Sequence, residues 1–327
     1  MSIVYFLNVG RGDCSIIEHD SDRLTMIDIN RIVKDKQYNT TNDLKESNFN
    51  SYFLGENSNP KGNFNQIEHP TDPIEFFKKN YPKKNLFRFI LTHPDMDHLK
   101  GLKDLSDEIG FINFWSYQNT KDDKTIKDED KEDWNFYQTL LKNKFLNLID
   151  TNNCNYIPDD GLQILSPNEK LIREANEKGN WNDASATILY NTNGFKFLFC
   201  GDGGDETWEH LKNYKNEISN IDVFFAPHHG RKSDRNFDFL DIVKPRITIL
   251  GNAESEYLAY DQYRDKSVNV FTNNQAGNFK FEIKDNKLEI SFSNKNFAES
   301  FCKENDLVCT TKNDEMWYCI GILNATK

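Results

Sequence analysis

Short apolar runs of strand type alternate along this chain with stretches of helical spacing. One of them, Leu86 to Leu91, stops at His93-Pro94-Asp95-Met96-Asp97-His98. Runs this short suit the strands of a layered sheet, and their alternation with helices points to an α/β domain. Two imidazoles and two carboxylates directly after a buried strand also have few structural uses, so the same feature marks where chemistry sits. A loop at a strand end can offer alternate residues to two neighbouring cations, whereas all four side chains cannot reach one ion in good geometry.

The opening runs Ile3–Leu7, Cys14–Glu18 and Leu24–Asp28 are separated by the turn through Gly10, Gly12 and Asp13 and by the polar residues 19–23. They read as a small sheet. Residues 31–70 show no clear period and read as a long loop insertion. Pro73–Asn80 and Trp134–Phe145 carry helical spacing, while Phe111–Trp115 reads as a strand and the charge run 121–133 as a solvated loop. The second half repeats the pattern: strands at 162–165, 184–190, 195–200, 221–226, 247–250 and 268–271, helices near 206–214 and 257–263, and a closing hairpin of 280–283 with 288–292. Residues 1–294 are thus expected to form one domain and 295–327 an appendage.

Acidic residues number 52 against 40 basic ones, a formal net charge of −12 over 327 residues. That sign excludes a bulk polyanion binder, and any grip on nucleic acid must come from a local patch. No apolar run approaches the ~20 residues of a membrane span and no leader is evident, so the expectation is a cytoplasmic protein without a membrane partner. The six cysteines include no CxxC pair and read as reduced, structural thiols.

Two later loops complete the pattern. Gly201-Asp202-Gly203-Gly204 follows the strand 195–200, and Pro227-His228-His229-Gly230 follows 221–226. Ligands gather at strand-end loops of α/β sheets, so His93, Asp202 and His228 are expected to meet. Of seven histidines, four fall in the His93 and His228 loops. His19, His69 and His210 have no ligand-like spacing and read as surface or cap residues.

Taken in order, these features resemble the metallo-β-lactamase fold hydrolases, and within them the branch typified by the hydrolase domain of ComEC competence proteins. The resemblance spans about residues 3 to 290. It rests on Asn8-Val9-Gly10-Arg11-Gly12-Asp13, Ile27-Asp28, Thr92 to His98 with Gly101, Asn182-Asp183-Ala184-Ser185, Leu198 to Asp202, and Ala226 to Gly230. It implies a four-layer αββα sandwich with a pair of divalent ions, zinc or manganese, along one edge. By carry-over Asp97 and His98 bind one ion with a histidine of the His228-His229 pair, Asp202 bridges, and His93 with Asp95 serves the other ion. Asp28 orients a ligand, or is an ordinary strand-end cap. Where the wider family has His-x-His this chain has His93-x-Asp95, and Asn182 to Ser185 replace a further usual histidine, as in the ComEC-like branch. One ion site is therefore oxygen-rich and weak for zinc. Asn8 and Arg11 also replace a more typical Asp and Gln, which leaves the opening turn without an assigned role.

The resemblance implies a metal-dependent hydrolase, with a nuclease or phosphodiesterase the leading expectation and nucleic acid or a nucleotide the substrate. Asp97 and His229 are expected to be catalytic, with His93, Asp95, Asp97, His98, Asp202 and His228 as metal ligands and the free histidine of the pair protonating the leaving group. Asn182, Ser185, Lys100, Arg231 and Lys232 are expected either behind the ligands or around the substrate, although the basic side chains also read as plainly solvated. Two rivals stay open: hydrolysis of a small thioester, lactone or lactam, and a degenerate non-catalytic interaction module. A homodimer or a protein partner is compatible with the acidic surface and the insertion.

Overall fold

The computed structural model describes residues 1–32, 62–142, 146–149, 151, 160–233, 235–254, 256–267, 269–311 and 317–325. Most of the 31–70 insertion and Cys154 lie outside the described residues. The strands are β1 (Ser2–Phe6), β2 (Ser15–Glu18), β3 (Leu24–Ile27), β4 (Ile29–Asn30), β5 (Leu86–Ile90), β6 (Phe111–Ser116), β7 (Leu146–Leu148), β8 (Leu162–Ser166) and β9 (Thr187–Thr192). After them come β10 (Phe195–Phe199), β11 (Val223–Phe225), β12 (Ile247–Leu250), β13 (Asn269–Thr272), β14 (Phe279–Lys284), β15 (Lys287–Phe292), β16 (Thr310–Thr311) and β17 (Tyr318–Asn324). A ten-stranded sheet runs β16-β17-β15-β14-β1-β2-β3-β5-β6-β7, and a six-stranded sheet runs β13-β12-β11-β10-β9-β8.

Alternation along each strand explains why the sheets stack. On β1, Val4 and Phe6 point into a core shared with Phe197, Phe199, Val223 and Phe225 of the other sheet. Ile3 and Tyr5 point the opposite way, toward α1 (Pro73–Asn80), α3 (Leu102–Glu108) and α4 (Lys131–Leu141); the short α2 (Met96–Leu99) lies between α1 and α3 in the chain. Leu198 and Phe224 likewise face outward onto α6 (Asp205–Leu211), α7 (Leu240–Val243) and α8 (Tyr260–Arg264), beyond α5 (Glu169–Lys178) in the chain. Helices on both outer faces and two sheets between them make the expected αββα four-layer sandwich. Each fully buried Phe of the inner layer contributes about 2 to 3 kcal/mol.

Three expectations change on contact with the tertiary structure. His19 is not a surface residue: it is buried between the sheets, with Nδ1 3.0 Å from the Asp160 carbonyl and Nε2 2.8 Å from Thr25 Oγ1. Beside it the wholly buried Arg88 guanidinium pairs with Asp160 at 2.9 Å, so this histidine satisfies polar groups that burial would otherwise leave unmatched. The charge run 121–133 is not simply solvated, because buried Asp130 pairs with Lys100 at 2.6 Å and Asp133 accepts the Gly101 and Lys103 amides at 2.8 Å. The stretch set apart as an appendage supplies α10 (Lys295–Glu304), following α9 (Asn273–Ala276), and β17, which pairs with β15. Phe297, Phe301 and Ile320 lie in the same core as Phe6.

Candidate metal centre

β3 runs parallel to β5, and β10, β11 and β12 run parallel to one another, so loops from both sheets leave at one edge. There the Asp28, His93, Asp202 and His228 positions meet. Asp28, at φ 56°, turns back so that its carboxylate accepts the Thr92 amide at 2.8 Å and the Thr92 hydroxyl at 2.6 Å. His98 Nδ1–H donates to the same carboxylate at 2.8 Å, which aims Nε2 into the cleft. The Thr92 hydroxyl oxygen in turn lies 3.1 Å from His93 Nδ1 and turns Nε2 of that ring inward too. Asp28 thus reaches two imidazoles, His98 directly and His93 through the Thr92 hydroxyl.

The ligand-type atoms fall into two groups that share Asp202. On one side His98 Nε2 is 3.2 Å from Asp202 Oδ1 and 3.9 Å from Asp97 Oδ2, while His229 Nε2 is 3.1 Å from Asp97 Oδ2. On the other, His93 Nε2 is 3.8 Å from both Asp95 Oδ2 and Asp202 Oδ2, and His228 Nε2 is 3.6 Å from Asp202 Oδ2. His93 Nε2, His98 Nε2 and Asp202 Oδ1 are buried without a hydrogen-bond partner. Apart from the 3.2 Å approach of His98 Nε2 to Asp202 Oδ1, these buried atoms are unmatched and face one space, which is costly unless something binds them, and nitrogen and carboxylate donors in this number suit a divalent cation. The residues therefore fit a metal ion.

Asp13 is the residue that sequence reasoning passed over. Its Oδ1 lies 2.9 Å from His229 Nδ1, and Asp13, His98, Asp202 and His229 place one ligand atom each within 4.8 Å of one another. The only signal was a carboxylate closing the Gly10 to Gly12 turn. That turn packs on the site because Gly12, at φ 140°, brings its backbone against the Asp97 carbonyl with no room for a Cβ. Gly201 serves the same purpose on the other sheet: at φ 48°, an added Cβ would sit 2.7 Å from Thr92 Oγ1. His228 and His229 themselves hold left-handed backbone at φ 53° and 55°, a strain concentrated where both rings must turn inward.

Charge follows the geometry. Burial disfavours the charged form of His98, but Asp202, Asp28 and Asp97 outweigh it and hold the imidazole well above its usual pKa. His229 is likewise penalised by burial and then raised well above its usual value by Asp13 and Asp202. Burial dominates for His93, with His98 adding to it, and for His228, so both are lowered. For Asp202 burial pushes upward, yet the surrounding histidines, His98 first, bring it well below the ordinary carboxylate range.

Not every expected residue joins the cluster. His229, expected as the proton donor, is enclosed between Asp13 and Asp97, whereas His228, expected as the ligand, is 24% exposed and has Ser233 Oγ 3.1 Å from Nδ1. Ser185 is buried and its Oγ accepts the Asp202 amide at 3.2 Å, so it positions that loop; Asn182 acts through its carbonyl, which receives the Ser185 amide at 3.0 Å. Lys100 is committed to Asp130. Arg231 stacks on Tyr257 at 5.2 Å, and Lys232 is exposed.

No family model and no curated relative matches the chain. Among solved structures it is similar to Igni18, a metallo hydrolase from the archaeon Ignicoccus hospitalis, at 14% identity and TM-score 0.47 over 86% of this chain and all of that one. It is also similar to the metallo-β-lactamase fold protein YhfI from Bacillus subtilis, at 10% identity and TM-score 0.42 over 83% and 96% of the two chains. A diphosphatase from the PhnP family matches at 10% identity and TM-score 0.42 over 87% and 98%. The fold described above is two facing sheets with helices on either side. No helix among the described residues is long and apolar enough to cross a membrane.

Proposed function

We propose that the chain is a metal-dependent hydrolase of the ComEC-like kind that cleaves phosphodiesters in nucleic acid or nucleotides. The observation that carries this reading is the shared Asp202 with the buried His93 Nε2 and His98 Nε2 on either side of it, 3.8 and 3.2 Å from its two oxygens. Asp97, His98, Asp202 and His229 would hold one divalent ion, zinc or manganese, and His93, Asp95 and the other oxygen of Asp202 a second. Bound there, such ions acidify water and neutralise charge on a phosphoryl oxygen.

The chain's own residues supply the rest. Asp28 and Asp13 fix the rings of His98 and His229, so the ligand nitrogens are preorganised before a substrate enters. His228 is the more open of the paired histidines, and we assign it the proton delivered to the leaving oxygen, a role that an incoming phosphate anion favours by raising its pKa. Arg231, over the Tyr257 ring, and exposed Lys232 flank that loop and offer a local cationic rim on an acidic protein. Such a rim suits single strands, short oligonucleotides or cyclic nucleotides better than long duplexes.

The test is cleavage of labelled single-stranded and duplex DNA and RNA, and of cyclic dinucleotides, with Mn²⁺, Zn²⁺ or a chelator, beside an Asp97→Ala control. Cleavage that needs metal and vanishes in the variant supports the proposal. Turnover of thioesters or lactones with none of phosphodiesters overturns the substrate class.

A further inference from the structure

We propose that Lys121 is a built-in cation that takes the charge of a second metal ion at Asp95, so that the chain holds one divalent ion tightly and a second only weakly. The inference rests on the metal-dependent reading above and names how its two half-sites differ.

Asp95 divides its carboxylate. Oδ2 faces His93 Nε2 at 3.8 Å, while Oδ1 is in direct ionic contact with Lys121 Nζ. The lysine is no loose surface side chain. It is 11% exposed, and its ammonium lies 5.3 Å from the centroid of Trp181, a placement that favours a cation over the ring face. Trp181 is pinned in turn: its Nε1–H donates to Asn176 Oδ1 at 3.1 Å, and its carbonyl accepts the Tyr117 hydroxyl at 3.1 Å. The same Asn176 oxygen, on α5, accepts the Thr120 amide at 2.9 Å and so ties down the loop that carries Lys121. An ammonium held this way has lost its conformational freedom in advance and stays at Asp95.

The two half-sites are consequently unequal in charge. Around His98 and His229 stand Asp97, a shared Asp202 and, behind the ring, Asp13. Around His93 and His228 stand the other oxygen of Asp202 and an Asp95 already neutralised by Lys121. A divalent ion entering the second group must face a fixed positive charge across one carboxylate, a like-charge contact in a partly buried place. The half-site that carries Asp95 thus has a cation of its own.

Metal stoichiometry tests this directly. The full chain, stripped with a chelator and titrated with Mn²⁺ or Zn²⁺ by calorimetry, is expected to bind one ion per chain tightly. Lys121→Met is expected to tighten the second equivalent by about tenfold or more, the scale on which removal of one adjacent like charge acts. Lys121→Arg keeps the charge and is expected to behave as wild type. With Mn²⁺, the spin-coupled signal of a paired centre should appear at lower metal in Lys121→Met than in the other two. Two equally tight ions in the wild-type chain overturn the proposal whatever the variants do, as does an unchanged second equivalent in a folded Lys121→Met. Absence of tight binding in all three proteins overturns the metal-dependent reading along with it, so the two failures are distinguishable.

Discussion

Asp28→Asn isolates what the orienting carboxylate contributes. Asn tolerates the left-handed backbone at φ 56° as well as Asp does, so the substitution changes side-chain chemistry without straining the turn. The carboxylate accepts three hydrogen bonds, from the Thr92 amide, the Thr92 hydroxyl and His98 Nδ1–H. An amide cannot do the same. With its oxygen toward His98, its NH₂ meets the Thr92 N–H, donor against donor; reversed, its NH₂ meets His98 Nδ1 and drives the imidazole proton to Nε2, the atom that faces the metal site. Loss of one charge-assisted bond in this buried place costs about 1.5 to 3 kcal/mol. Expressed in metal affinity, that is about 10- to 100-fold. Competition of Zn²⁺ or Mn²⁺ against a chromophoric chelator measures it, with urea unfolding of the metal-free protein alongside. Affinity within about threefold of wild type refutes the reasoning, and a stability loss without an affinity loss reduces Asp28 to a strand-end cap.

Two further outcomes follow from the same structure. Burial, only partly offset by Asp160, lowers the pKa of His19 to about 4 in the folded chain against 6.5 when exposed. The unfolded chain therefore binds the proton first, so this stabilisation is complete above pH 6.5 and falls as pH drops toward 4; between pH 7 and 5 it amounts to about 2 kcal/mol. His19→Gln should flatten that part of the urea-derived stability profile, and an unchanged slope would remove the assignment. Gly12→Ala forces a Cβ onto the Asp97 carbonyl at φ 140° and should cost about 2 to 4 kcal/mol of unfolding free energy; a variant with wild-type stability would show that the opening turn does not press on the site.

Much of the site was legible because its residues are local and chemically unusual. His93, Asp95, Asp97 and His98 stand within six positions, and the His228-His229 pair repeats the signal at another strand end. Asp28 was legible as a carboxylate closing a strand. Asp13 and Lys121 were not, since a lone acid after a glycine turn and a lysine inside a charge run look like any solvated residue until the fold brings them against His229 and Asp95. His19 was misplaced for the same reason: one imidazole in a polar turn carries no sign that Arg88 and Asp160 will be buried beside it.

What the sequence determined by itself was the layered α/β architecture and the strand-end loops that carry the imidazoles and carboxylates. Both are properties of periodicity and local spacing, which a chain expresses without reference to its distant parts. The tertiary structure alone decided which histidine of the pair is enclosed, which carboxylate each ring leans on, and that Lys121 lies against Asp95. Those are matters of a few ångströms between residues up to 216 positions apart, as Asp13 and His229 are, and they are set by how two sheets stack and where their edge loops are squeezed together.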